Sequence, residues 1–488
     1  MTMSIQILMA FLAYFLILLT VGLVSHKRQT SAADFIMGNR SLSFWLTALT
    51  AHASDMSSWL FMAFPAALFM GGFPFIWIAL GLILGMYCNW QFVAEKLRVE
   101  TEKHNSYTLS TFFERRFQDT SGIIRLLTSL ICVFFLTIYI SGAGLQAMGI
   151  LFESLFGINY YTGLSIATAV VVTYTFVGGF ITVAWTDFFQ GIFLLAVIIL
   201  VPVVAWMHID GWNAIEAGAQ ANGVSLHLIN PPIVTNFISI LTMSIGWGLG
   251  YFGQPHIVTK FMGIKTPSEI RKSKWLGMSW QTLALGAAAT LGIIGIGFFP
   301  DGLDSPQLVF VEMVKILFHP FLAGFILCAV IAANMSTMDS QILVCASTIS
   351  EDLYKKLIKR NATSLQLLRV SQYAVVFVSL LSLGIAFART STIMEIVEYA
   401  WSGLGASFGP LTLTALYSTK ANRYGAMAGI LVGSITSAIW PFLNPQLITI
   451  TINPLIPGFS LSLLAIWLVS RLTKNWDQKT NPVAERKQ

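Results

Sequence analysis

The chain reads as an all-α polytopic membrane protein of about thirteen transmembrane helices. Hydrophobic residues make up 56% of the 488 and charged residues 10%, against roughly 25% charged in soluble domains. Apolar windows of about 20 residues, each long enough to cross a hydrocarbon core of roughly 30 Å, recur along the whole length. Basic residues gather in alternate loops, as the positive-inside rule requires.

The windows fall at about 4–25, 43–73, 75–95, 124–150, 160–184, 187–207, 233–254, 275–299, 317–349, 370–388, 395–418, 424–443 and 449–471. Placing the N-terminus outside puts Lys27, Arg28, Arg40 and the basic residues from Lys96 to Arg125 inside. Lys260 to Lys274, Lys355 to Arg369, Lys420, Arg423 and the tail from Arg471 to Lys487 join them. Of 28 basic residues, only Lys315 and Arg389 fall outside. The segment 208–232 carries Asp210 and Glu216 but no Lys or Arg, as an external loop should. An odd number of spans, with the C-terminus cytoplasmic, satisfies the pattern.

No long polar segment interrupts the series, so one membrane domain is expected over 1–488. The net charge of +6 then reports topology and not nucleic-acid binding, because the basic residues are scattered over short loops. Cys88, Cys132, Cys328 and Cys345 lie in apolar spans without paired spacing and read as small hydrophobes. The first apolar run lacks a basic leader and a small-residue cleavage site, so it is expected to be a retained helix. Compact loops point to a bacterial cytoplasmic (inner) membrane.

Three spans depart from a plain apolar helix. The second contains Ala53-Ser54-Asp55-Met56-Ser57-Ser58-Trp59. A carboxylate at membrane depth costs about 2.5–3.5 kcal/mol on insertion scales unless something compensates it. Serine and aspartate also compete for backbone hydrogen bonds, which weakens a helix interior. A break there would free the carbonyls of Ala53 and Met56 to face a cation; the alternative is a continuous helix with Asp55 bonded to a polar neighbour.

The seventh span holds Gly246-Trp247-Gly248-Leu249-Gly250-Tyr251-Phe252-Gly253-Gln254-Pro255. Four glycines and a proline oppose an unbroken helix. Close helix packing through small residues is the other reading of such a run. Two interrupted helices in corresponding halves are a sequence pointer to a binding site at mid-membrane. In the ninth span Ala333, Ser336, Thr337 and Ser340 recur at i, i+3, i+4 and i+7, one stripe of a helix. Their hydroxyls suit either interhelical bonds or a hard cation, which prefers oxygen ligands. Asp339 lies close to the same face.

Asp187 reads either as a buried ligand or as a residue capping a following helix. His52, isolated, reads as packing, and Glu395 and Glu398 as interfacial. No Walker-type glycine loop, zinc-spaced His/Cys set or nucleophile elbow occurs. Neither a nucleotide-driven pump nor an enzyme is expected.

Several stretches, in order through nearly the whole chain, resemble the sodium/solute symporter family, and within it its bacterial proline-transporting branch. They are Gly38-Asn39-Arg40-Ser41-Leu42, Ala53 to Ser57, Tyr174 to Phe180, Gly246 to Pro255, Met335-Ser336-Thr337 and Glu351-Asp352-Leu353-Tyr354-Lys355. The resemblance implies a LeuT-type core of two inverted five-helix repeats. Residues 1–42 would form the first helix and an internal loop, 43–207 the first repeat and 233–418 the second. Two C-terminal helices over 424–471 and a cytoplasmic tail over 472–488 would complete the chain.

The resemblance further implies secondary active import of L-proline coupled to sodium by alternating access. Sodium would bind the carbonyls of Ala53, Met56 and Ala333 and the hydroxyls of Ser336 and Thr337, with Asp55 needed for coupling. Ser57, Ser58, Trp59, Tyr139, Trp247, Tyr251 and Pro255 would contact the substrate. Asp187, Ser336, Asp339 and Ser340 would hold a second sodium. Two positions depart from the branch, Ser58 where it has glycine and Asp339 where it has serine. Another amino acid, a vitamin or a sugar is the alternative solute. The implied partners are sodium, the solute and membrane lipid, with no nucleic acid and no obligate protein partner.

Overall fold

A computed structural model describes residues 2–25, 32–177, 179–229, 233–389 and 391–480. Lys27, Arg28, Gly178 and residues 481–488 of the expected tail lie outside the described residues. Among those described, helix dominates, and the one β feature is an isolated parallel bridge between Leu42 and Ile264.

We number the principal helices α1 (Thr2–Ser25), α2 (Phe44–Met56), α3 (Ala63–Gly71), α4 (Ile76–Cys88) and α5 (Ile123–Tyr139). There follow α6 (Tyr160–Val177), α7 (Phe180–Trp206), α8 (Ile233–Leu249), α9 (Pro255–Met262) and α10 (Ile270–Phe298). The series ends with α11 (Pro320–Ser347), α12 (Ser364–Ala386), α13 (Ile393–Tyr417), α14 (Arg423–Leu447) and α15 (Leu455–Leu472).

Nine helices among the described residues are long and apolar enough to cross a membrane. Three shorter apolar segments, Ser58–Gly71, Tyr160–Thr173 and Phe237–Gly253, add to them. α13, which carries Glu395 and Glu398, belongs to neither group. Two of the three short segments are parts of the interrupted helices, since a break divides what the composition presents as one run.

The expected boundaries shift where glycine or a widened turn intervenes. The fifth apolar window spans 160–184, but α6 ends at Val177 and Phe180 already opens α7. Gly179 stands between them in an extended conformation that helix cannot continue. The third and fourth spans contain π-helical turns at Asn89–Ala94 and Ile140–Gln146, inside their windows, and run on past those windows to Lys103 and Phe156. Such widened turns recur at functional sites. The external segment expected over 208–232 contains a helix, Gly211–Asn222.

α11 is the centre of the molecule: 83% of its most apolar window is buried, against at most 56% for any other long span. It packs on α1, α2, α7 and α12. Gly324 permits the α1 contact, because a Cβ there would stand 2.8 Å from the Ile7 Cα. α4 and α8 approach more tightly still. A Cβ on Gly85 would lie 2.1 Å from the Gly248 carbonyl oxygen, so glycine on both helices sets their separation.

Candidate ion and solute site

α2 stops at Met56 because the backbone turns at Ser57, with φ 45° and ψ −165°. A non-glycine residue at positive φ is uncommon and is held there by its surroundings. Here α11 does the holding. Ser57 N–H donates to Thr337 Oγ1 at 3.0 Å, and Ser58 N–H donates to Asn334 Oδ1 at 2.8 Å. Two amides released by the break thus find buried side-chain acceptors on the neighbouring helix, which removes most of the penalty for leaving them unpaired.

Oxygens converge beside this contact. Ser336 Oγ lies 2.8 Å from the Ala53 carbonyl oxygen and 3.1 Å from that of Ala333. The structure therefore brings Ala53, Ala333, Ser336 and Thr337 together, and Met56 adjoins them as the last residue of α2. The Ala53 carbonyl was expected to stand unpaired; it accepts the Ser336 hydroxyl instead. A hydroxyl is both donor and acceptor, so its proton can turn aside and leave its oxygen beside the carbonyls.

Asp55 bonds to the second break. Tyr251 donates its hydroxyl to Asp55 Oδ2 at 2.6 Å, and Gln281 Nε2 donates to the same phenol oxygen at 2.9 Å. Tyr251 belongs to the second break, where a short 3₁₀ turn, Gly250–Gly253, separates α8 from α9 and Pro255 opens α9. Glycine is needed at 250, because a Cβ there would fall 1.8 Å from Trp401 Nε1.

A pocket opens between the two breaks, lined by Asp55, Met56, Trp59, Leu82, Tyr139, Trp247, Tyr251, Val397 and Trp401. Trp59 stacks on Phe64 at 4.8 Å and meets Trp247 at 5.3 Å. Trp401 stands edge-on to Tyr251 at 5.0 Å and donates to the Trp247 carbonyl at 3.0 Å. Aromatic faces with one carboxylate at the edge suit a compact, largely apolar solute with few polar groups.

Four of the seven expected solute residues, Trp59, Tyr139, Trp247 and Tyr251, line this pocket. Ser57, Ser58 and Pro255 do not. The Ser57 hydroxyl accepts from Trp59 N–H, and the Ser58 hydroxyl donates at 2.5 Å to the Ala143 carbonyl in the π-helical turn. The Ser58 side chain is therefore taken up by that turn. Pro255 borders a separate cavity whose wall includes Thr108, Ser110, Thr128, Thr259, Ser347 and Thr348.

Asp187 corrects one reading. It is fully buried in the interior of α7, well beyond the helix's first turn, so it caps nothing. Thr50 donates to its Oδ2, and Lys260 Nζ lies 3.3 Å from the same oxygen. Charge placement assigns Lys260 to an internal basic loop; it is instead 1% exposed within α9. Ser340 and Asp339 stand nearby on α11, and Thr175 donates to Asp339 Oδ1 at 2.5 Å. Ser336 is turned toward α2, away from this cluster.

His52 packs, as expected. It accepts from Trp90 Nε1 at 3.2 Å and lies against Trp280. Leu82, Val397, Trp401, Asn334, Gln281 and Lys260 were not singled out from the sequence. Trp401-Ser402-Gly403-Leu404-Gly405 repeats the aromatic–glycine alternation of the seventh span and was legible. Lys260, five residues before the charged run opening at Lys265, carried no distinguishing signal.

Paired broken helices around one buried pocket, beside a hydroxyl-bearing helix, define a secondary transporter. Comparison with known proteins agrees. A family model described as the sodium:solute symporter family matches residues 35–433. The high-affinity proline transporter PutP of Bacillus subtilis (strain 168) is 41% identical over 461 residues, covering 94% of this chain and 96% of that protein. The osmoregulated proline transporter OpuE of the same organism is 39% identical over 477 residues, covering 97% and 96%. The sodium/proline symporter of Staphylococcus aureus (strain JH9) is 38% identical over 473 residues, covering 94% and 91%.

Among solved structures, a sodium-coupled sialic acid symporter in a substrate-bound, outward-open state superposes with a TM-score of 0.80 at 18% identity, covering 96% of this chain and 98% of that one. MhsT in complex with L-phenylalanine gives 0.56 at 13%, covering 88% and 98%. The fold is thus that of the LeuT-type transporters. The chain belongs to the sodium:solute symporter family, and it is a transporter and not an enzyme.

Proposed function

We propose that the chain imports L-proline with sodium by alternating access in a bacterial cytoplasmic membrane. The reading rests on one contact above all: the broken end of α2 meets the Ser336–Thr337 stripe of α11, with Ser336 Oγ 2.8 Å from the Ala53 carbonyl oxygen. Sodium bound there would tie the two helices through the oxygens of Ala53, Met56, Ala333, Ser336 and Thr337. Holding α2 in place fixes Trp59 and Asp55 at the pocket wall, so ion and solute favour the same arrangement. The aromatic walls suit a pyrrolidine ring, and the names of the three relatives support proline as the solute.

In this reading thirteen spans run from an external N-terminus to a cytoplasmic C-terminus, with repeats at 43–207 and 233–418. Low internal sodium then empties the site on the cytoplasmic side. The deciding experiment is radiolabelled proline uptake into proteoliposomes, with and without an inward sodium gradient, competed by other amino acids, vitamins and sugars. Concentrative uptake only with sodium, displaced best by proline, is the expected result. Equal uptake in sodium-free buffer removes the coupling, and stronger displacement by another solute removes proline.

A further inference from the structure

The cluster around Asp187 contains its own cation. Lys260 Nζ lies 3.3 Å from Asp187 Oδ2, with both side chains out of contact with solvent, and stands 5.2 Å from the face of Phe180. A buried ammonium persists where a carboxylate and an aromatic face compensate it. α9 supplies the lysine, α7 the aspartate and α2 the Thr50 hydroxyl that donates to it. The ammonium therefore ties α9 to α7 and α2 through the carboxylate that a mobile ion at Asp187 would need.

We propose that Lys260 is a tethered cation occupying the position at Asp187 that would otherwise take a second sodium, so that the protein carries one sodium per cycle. A sodium coordinated by Asp187 and Ser340 would press against Nζ, and two positive charges at contact distance in a low-dielectric interior repel strongly. Among the described residues, Asp187 Oδ1, Asp339 Oδ2 and Ser340 Oγ make no hydrogen bond of ordinary geometry, and Ser340 stands beside Asp187. They leave acceptors toward which the ammonium can lean as helices shift, while its stem keeps the charge inside the protein. The inference rests on the sodium-coupled reading above and concerns only the number of ions.

Equilibrium binding of radioactive sodium to the purified full-length chain, with no solute present, tests it apart from proline. The wild type is expected to bind about one sodium per protein, and Lys260→Met about two, because Asp187 then needs a mobile partner. Adding Asp187→Asn to Lys260→Met should return the count to about one. Two ions bound by the wild type overturn the tethered cation and leave the coupling intact. One ion in both wild type and Lys260→Met overturns it as well. No bound sodium in the wild type overturns the coupling itself and this inference with it. Should Lys260→Met fail to insert, the charge moved per proline by the wild type, measured from the voltage at which flux reverses, decides the matter: one supports the proposal and two ends it.

Discussion

Thr337 shows how one side chain serves two purposes. Its oxygen accepts the Ser57 amide and stands among the oxygens assigned to sodium. Replacing it with alanine leaves a buried amide without a partner, at about 1–3 kcal/mol. We expect Thr337→Ala to raise the sodium concentration for half-maximal uptake by about tenfold or more, and Thr337→Ser to restore most of it. Sodium-activation curves of initial uptake check both, and equal curves for all three proteins would remove Thr337 from the site. Tyr251→Phe strips Asp55 and Gln281 of their shared phenol. It should lower uptake while the helical circular dichroism of the purified protein stays unchanged.

Residue by residue, the sequence revealed whatever depends on spacing along one helix. Ser336 and Thr337 stand out by their stripe, and Asp55 by its apolar flanks. Contacts between distant helices were closed to that reasoning. Nothing local says that Ser58 turns to Ala143, or that Lys260 reaches Asp187 across 73 residues.

Among the elements, α4 and α8 show what glycine does when two backbones approach. The Cβ that Gly85→Ala would add meets the Gly248 carbonyl oxygen at 2.1 Å, and neither backbone can yield without moving its helix. Overpacking of this kind costs about 1–3 kcal/mol. Gly286 on α10 has open space around it, so Gly286→Ala should be neutral or slightly stabilising. Thermal unfolding in detergent should separate the two variants, with Gly85→Ala melting below the wild type and Gly286→Ala not. A Gly85→Ala protein as stable as wild type would show that the close approach is absent.

Both breaks were legible because serine, aspartate, glycine and proline oppose helix for stated reasons. The boundary between α6 and α7 was read through: apolar residues resume at once beyond Gly178-Gly179, and hydropathy outweighed the glycine pair.

Over the whole molecule, charge transfer sets how much work the transporter can do. One coupled charge gains about 2.3 kcal/mol from 100 mV. At one sodium per neutral proline, a membrane potential of 100 mV, inside negative, should raise the proline accumulation ratio by roughly fiftyfold with sodium equal on both sides. Imposing that potential with a potassium gradient and an ionophore in proteoliposomes checks the value. An unchanged ratio would mean that no net charge moves with the solute.

The phenol of Tyr251 has a mechanical consequence. It is a strut between the two interrupted helices, beside the Trp59–Trp247 contact, anchored at one end on Asp55 and steadied by Gln281. One break cannot move far from the other while that strut is in place. In the proposed cycle, any motion that parts the two breaks has to unfasten it first, and so opens the pocket that the same tyrosine helps to wall.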